Sequence, residues 1–146
     1  MSIDVITDAE WEIMRVVWTK QHTTSGEIIP IMSEKNGWKP STVKTLLTRL
    51  VDKNYLKTEK EGKQFIYTAA VSEKEAMKIE GDHFLAKLCH RKVGGFIGDV
   101  IQDYALSQSD IELLEGMLQE KKKTAPKSVP CQCIKGQCRC QQEGGC

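Results

Sequence analysis

Cysteine is missing from the first 130 residues except at position 89, and the other five fall within the last sixteen positions. Cysteine is therefore a local device here and not a habit of the core. The opening stretch MSIDVITDAEWE has neither the basic segment nor the apolar core of a secretory signal, and no run approaches the roughly 18 apolar residues of a membrane span. A cytoplasmic protein with reduced thiols and no membrane partner is expected, which removes the oxidising surroundings that disulfides need. Also absent are a Ser/His/Asp set, a phosphate-binding glycine loop and a pair of acids in a plausible pocket, so no enzyme is expected. No internal repeat is evident. Histidine is scarce too: His83 and His90 stand seven apart with no third or fourth ligand beside them. Cys89, on an apolar stripe, reads as a small core residue and not as part of a second metal set. His22 reads as an exposed loop residue, and Cys146 as a spare ligand, an intermolecular one, or nothing.

Net charge is nearly nil at +1, but it is unevenly divided. Residues 73–120 hold five Lys/Arg against ten Asp/Glu, and residues 121–146 hold six against one. Within the first half, positions 39–63 carry seven basic residues and three acidic. Positive charge thus gathers where a polyanion could be met.

The densest chemistry is CQCIKGQCRC, with Cys131, Cys133, Cys138 and Cys140 arranged as two C-x-C pairs. In extended chain, residues two apart point the same way, so each pair presents both sulfurs to one object. Gly136 between the pairs tolerates positive φ and lets the chain fold back. Four converging thiolates are soft ligands that favour zinc and copper(I), and an all-sulfur set suits a closed zinc site.

Upstream, Thr7-Asp8-Ala9-Glu10 has the form of a capping box, followed by Trp11, Met14, Val17 and Trp18 at helical spacing. Thr24-Ser25-Gly26-Glu27 repeats the cap for a second helix that runs to about Lys35, with Pro30 expected to kink or shorten it. Trp11, Trp18 and Trp38 read as core. Pro40 opens a third helix, Ser41 to about Lys53. It gathers Val43, Leu46, Leu47, Leu50 and Val51 on one side and Ser41, Lys44, Thr45 and Thr48 on the other, with Thr42 and Arg49 on the flank. Two short strands, Tyr55–Glu59 and Gln64–Thr68, then surround a glycine turn with lysines at its tip. Three helices and a hairpin in this order spell a winged helix-turn-helix. The third helix is expected to enter the major groove of double-stranded DNA: its small hydroxyl side chains permit close approach, the threonine methyls meet the thymine methyl, and Lys44 reaches guanine O6 and N7. Helix N-termini, Arg49, Lys60 and Lys63 are expected on phosphates.

From Ser72 onward apolar residues recur through Met77, Phe84, Leu85, Leu88 and Cys89, then Val93 to Tyr104, then Ile111 to Leu118 from a cap at Ser107 or Ser109. These stripes are too wide for so few helices to bury within one small subunit, and a homodimer is expected to cover them. Gly94, Gly95 and Gly98 are expected to mark a bend or a close helix contact. The fold class is thus mainly α with a small β-hairpin: a winged-helix DNA-binding domain over residues 1–71, a helical dimerisation domain over 72–123, and a linker with a metal-binding tail over 124–146.

The runs AEWEIMRVVW, WKPSTVKTLLTRLVDKNYL and EGKQFIY resemble the penicillinase-repressor family, the winged-helix repressors of the BlaI and MecI type. The C-x-C-x4-C-x-C tail is similar to that of the copper-responsive CopY-type members. Lys39 stands where relatives often place serine before the proline, at the cost of a helix cap. The resemblance implies a homodimer on a palindromic operator of copper-homeostasis genes. It implies a protein bound with zinc and released when copper(I), handed over by a copper chaperone, replaces it. The metal tail departs from the cleavage-dependent scheme of the beta-lactam relatives. Two rivals remain: a metallothionein-like copper/zinc buffer or chaperone on a helical scaffold, and a thiol redox sensor.

Overall fold

Thr7 opens the first helix, α1 (Asp8–Lys20): its hydroxyl accepts from the Glu10 N–H at 3.1 Å, and Glu10 Oε1 accepts from the Thr7 N–H at 3.0 Å. This is the reciprocal cap expected of the T-x-x-E spacing. The computed structural model describes residues 4–139. The second helix, α2 (Ser25–Asn36), is capped by the Thr24 hydroxyl and closes on Gly37, whose φ of +68° is the left-handed conformation that favours glycine. It runs on through Pro30 to Asn36, so the expected shortening does not occur. Pro30 is exposed, and its far half still delivers Met32 to the core. The third helix, α3 (Pro40–Asp52), starts with proline at its first turn, and Lys39 makes no side-chain cap.

These three helices share one core. Ile13, Met14 and Val17 from α1, Ile28 and Met32 from α2, and Val43, Leu46, Leu47 and Leu50 from α3 are all buried. Burying each such side chain contributes about 1.5–3 kcal/mol, so the apolar side of α3 is committed inward and its polar side is left outward. The tryptophans Trp11, Trp18 and Trp38 pack at the margin of this core, half-buried. Trp18 donates its indole N–H to the Val71 carbonyl at 2.9 Å, tying α1 to the chain that leaves the sheet.

Strands β2 (Leu56–Glu61) and β3 (Gln64–Ala69) form the antiparallel hairpin, in register from Leu56↔Ala69 to Glu61↔Gln64. The two-residue loop carries Gly62 at φ +64° in its first position, where hairpin turns demand glycine. The hairpin is not alone. A two-residue strand, β1 (His22–Thr23), pairs with β3 through His22↔Thr68 and Thr23↔Tyr67, giving the order β1-β3-β2. His22 is exposed as expected, but in a strand and not in a loop.

The chain divides into two compact units that part between His83 and Phe84, within α4 (Glu73–Leu85). In the second unit a 3₁₀ turn (His90–Lys92) leads into α5 (Val93–Asp103), and α6 (Gln108–Lys122) follows with a Ser107/Asp110 capping box. The apolar stripe reaches Leu88 and Cys89, but the helix ends at Leu85, so those two residues lie in irregular chain. Phe84 and Phe96 pack with ring centroids 4.9 Å apart and planes tilted by 47°. Helix α5 runs unbroken through Gly94, Gly95 and Gly98, and no described atom from elsewhere in the chain comes within 4 Å of where a Cβ would stand. The three glycines therefore mark neither a bend nor a contact within the chain. Each costs only about 1 kcal/mol against alanine, which the rest of the helix absorbs. Neither α5 nor α6 buries a residue within the chain: Phe96, Ile97, Val100 and Ile101 on the first, Tyr104 just after it, and Ile111, Leu113, Met117 and Leu118 on the second, are exposed. No described helix is long and apolar enough to cross a membrane.

Candidate nucleic-acid interface and metal centre

The polar side of α3 is continuous. Ser41, Thr42, Lys44, Thr45, Thr48 and Arg49 are all exposed, while Val43, Leu46, Leu47 and Leu50 between them are buried. Two of the threonines are locally committed: the Thr45 hydroxyl donates to the Ser41 carbonyl at 2.9 Å and the Thr48 hydroxyl to the Lys44 carbonyl at 3.0 Å. Such back-bonding uses the hydroxyl proton and leaves acceptor lone pairs on an exposed side chain. Held so, these side chains present acceptors to whatever lies against the helix.

Beside α3 a cleft of about 480 Å³ opens between three elements. Lys44 and Thr48 line it from α3, Lys63 and Phe65 from the hairpin, and Ser25 and Gly26 from the start of α2. Ser25, Gly26 and Phe65 are not among the residues singled out from the sequence. The cap at Thr24 was the signal for the first two, since a capped helix start points its unpaired N–H groups outward. Nothing local marks Phe65, which is 50 % exposed on the strand after the turn. Lys60 stands on β2 opposite Phe65, exposed.

The thiols converge, though not as the tail alone. Cys89, Cys131, Cys133 and Cys138 place their sulfurs within 4.8 Å of one another, and none is in a disulfide. Cys131 Sγ lies 3.6 Å from Cys89 Sγ and 3.3 Å from Cys138 Sγ. Gly136 turns the chain between the pairs at φ +97°, in the role its position predicts. Cys140 lies outside the described residues, as does Cys146. Assigning Cys89 to the core was therefore incomplete: it is buried, but its sulfur faces the cluster. The spacing rules that pick out C-x-C pairs are blind to a partner 42 residues away. Neither His83 nor His90 belongs to the cluster.

Partial burial, then the neighbouring sulfurs of Cys131, Cys89 and Cys138, push the Cys133 thiol up to about 12. Burial raises Cys131 as well, against the Cys133 N–H that points at its sulfur from 3.3 Å. Four thiols this close cannot ionise together without a cation among them. A soft divalent ion reverses that preference by taking the thiolates as ligands. With Zn–S bonds of about 2.3 Å, a tetrahedral site spaces its sulfurs about 3.8 Å apart. The sulfur separations here are of that order, so the donor set fits zinc in size and chemistry.

The family model described as penicillinase repressor matches residues 6–120. An uncharacterized 16.5 kDa protein of Latilactobacillus sakei is 44 % identical over 138 residues, covering 94 % of each chain. The penicillinase repressor of Bacillus licheniformis is 31 % identical over 120 residues, covering 82 % of this chain and 94 % of that one. Among solved structures, the DNA-binding domain of the repressor BlaI is 38 % identical, covers 51 % of this chain and 90 % of its own, and superposes with a TM-score of 0.47. By the extent of the family match and by the identity to the penicillinase repressor of Bacillus licheniformis, the chain belongs to the penicillinase repressor family, whose members are DNA-binding repressors.

Proposed function

We propose that the protein is a cytoplasmic metal-responsive transcriptional repressor of the CopY type, a homodimer on a palindromic operator of copper-homeostasis genes. It holds the operator when its thiols carry zinc and releases it when copper(I), delivered by a copper chaperone, takes zinc's place. The observation that carries this reading is the four-sulfur cluster in a chain that also bears a winged helix with an outward polar face. A buffer needs no such face, and a redox sensor needs no convergence of four sulfurs.

On the DNA side, α3 is the reading helix. Ser41, Thr45 and Thr48 allow close approach in the major groove, and the threonine methyl groups suit thymine. Lys44 reaches guanine, Thr42 and Arg49 flank the groove, and Lys60 and Lys63 hold phosphates from the wing. A pair of such heads on one dimer reads half-sites about 34–36 Å apart. The exposed apolar sides of α5 and α6 are the surface that a second copy covers.

On the metal side, Cys131, Cys133, Cys138 and Cys140 of the tail supply the soft ligands. Zinc held by these thiolates would tie the tail together as a structural site. Four thiolates with one zinc(II) and with two copper(I) ions carry the same net charge, so release is a matter of geometry. The same thiolates would also take copper(I), a soft ion that suits sulfur ligands. To move operator occupancy from about 99:1 to about 1:99, the exchange must favour the released state by about 5.5 kcal/mol. That is well inside the roughly 10–16 kcal/mol with which structural zinc sites bind. A gel-shift titration of the full-length protein with zinc, copper(I) and peroxide tests the reading. Retention with zinc and loss with copper(I) alone is expected; equal binding in all three states would sink it.

A further inference from the structure

The sulfur of Cys89 faces the tail thiols from a part of the chain that belongs to no C-x-C pair, and the contact has a second, independent support. Gln132, the residue between Cys131 and Cys133, reaches across to the backbone on both sides of Cys89. Its Oε1 accepts from the His90 N–H at 2.9 Å, and its Nε2 donates to the Leu88 carbonyl at 3.1 Å. One amide thus saturates one donor and one acceptor of the segment that carries Cys89. Gln132 sits between two cysteines whose sulfurs both lie in the cluster with Cys89, so clamping it holds both beside Cys89.

We infer that Cys89 is a metal ligand completing a set with Cys131, Cys133 and Cys138, and that Gln132 is the positioning residue that docks the tail onto it. The inference deepens the metal-responsive reading above and rests on it. A tetrahedral site needs four ligands, and Cys89 with the three described tail cysteines supplies four sulfurs within 4.8 Å of one another. The consequence is mechanical. Cys89 immediately precedes the 3₁₀ turn His90–Lys92 and α5, so an ion held there joins the tail to the start of the helix whose apolar face is exposed. Occupancy of the site would be felt by α5 directly, where a set confined to the tail would leave it untouched.

The test uses the full-length protein with zinc and with cobalt(II), whose sulfur-to-metal charge-transfer absorption grows with each bound thiolate. Cys89→Ser is expected to lose about one quarter of that absorption, as one of four ligands is removed. In the unsubstituted protein, zinc is expected to slow alkylation of Cys89 in parallel with that of Cys131, a measurement that stands even if Cys89→Ser does not fold. Gln132→Ala should keep the full absorption but bind zinc about 10- to 100-fold more weakly, as loss of an outer-shell partner does. Full absorption in Cys89→Ser, or alkylation of Cys89 that ignores zinc, would overturn the inference and leave the metal reading intact. No thiolate absorption in the unsubstituted chain would overturn both.

Discussion

Lys53 Nζ lies 2.7 Å from Glu10 Oε1 and joins the end of α3 to the first turn of α1. Glu10 is fully buried, and the same Oε1 also accepts from the Thr7 N–H. Its other oxygen, Oε2, has no hydrogen-bond partner among the described residues. Burial alone would push this carboxyl up, but the Lys53 ammonium and the Thr7 N–H and hydroxyl together outweigh it. The net effect holds Glu10 below the ordinary carboxylate value. A carboxyl held low in the folded state binds protons less readily than in the unfolded chain. It therefore adds stability at pH above the unfolded value of about 4.3–4.5, and that stability drains away as pH falls through the folded value.

Glu10→Gln should remove this acid sensitivity. Glutamine keeps the capping geometry, so the variant isolates the ionic contribution. Urea melts at about pH 7 and about pH 4 are expected to show a smaller difference in midpoint for the variant than for the parent. An unchanged difference would mean that the pair with Lys53 is not a pH-linked element.

The reading helix and the wing are expected to answer differently to substitution. Lys44→Ala should cost about 1–3 kcal/mol on the operator and relax sequence choice. Lys63→Ala should weaken all sequences alike and reduce the salt slope by about 1. Equal losses on operator and random DNA for Lys44→Ala would remove it from base reading.

Replacing Cys131 and Cys133 together by serine takes away half of the sulfurs in the cluster. Copper(I) is then expected to leave the operator complex intact at concentrations that dissociate the parent. A double variant that still lets go on copper addition would place the sensor elsewhere in the chain.

The dimer is expected to rest on the apolar sides of α5 and α6. Ile97→Asp places a carboxylate where the side chain is 47 % exposed in the single chain. It should leave the winged-helix unit folded, because among the described residues that unit's core takes in nothing beyond Ile79. Sedimentation should show monomers, and binding should fall to that of a single head on a half-site. A variant that stays dimeric would move the interface off this face.

Much of this was readable from residue order alone, because the signals involved are local. Capping boxes span three residues, apolar faces recur every three or four, a hairpin turn needs glycine at one place, and paired thiols stand two apart. Each is dictated by backbone geometry and survives without knowledge of neighbours. On these grounds α1, α3 and the wing, the outward face of Ser41, Lys44, Thr45 and Thr48, and the fold-back at Gly136 followed from the chain itself. Tertiary structure decided what local rules cannot reach. Strand β1 is too short to show a period and exists only because β3 offers it an edge. Pro30 is tolerated because its side of α2 faces solvent. Cys89, which an apolar stripe assigned to a core, turned its sulfur to thiols 42 residues downstream because Gln132 fastens the two segments together.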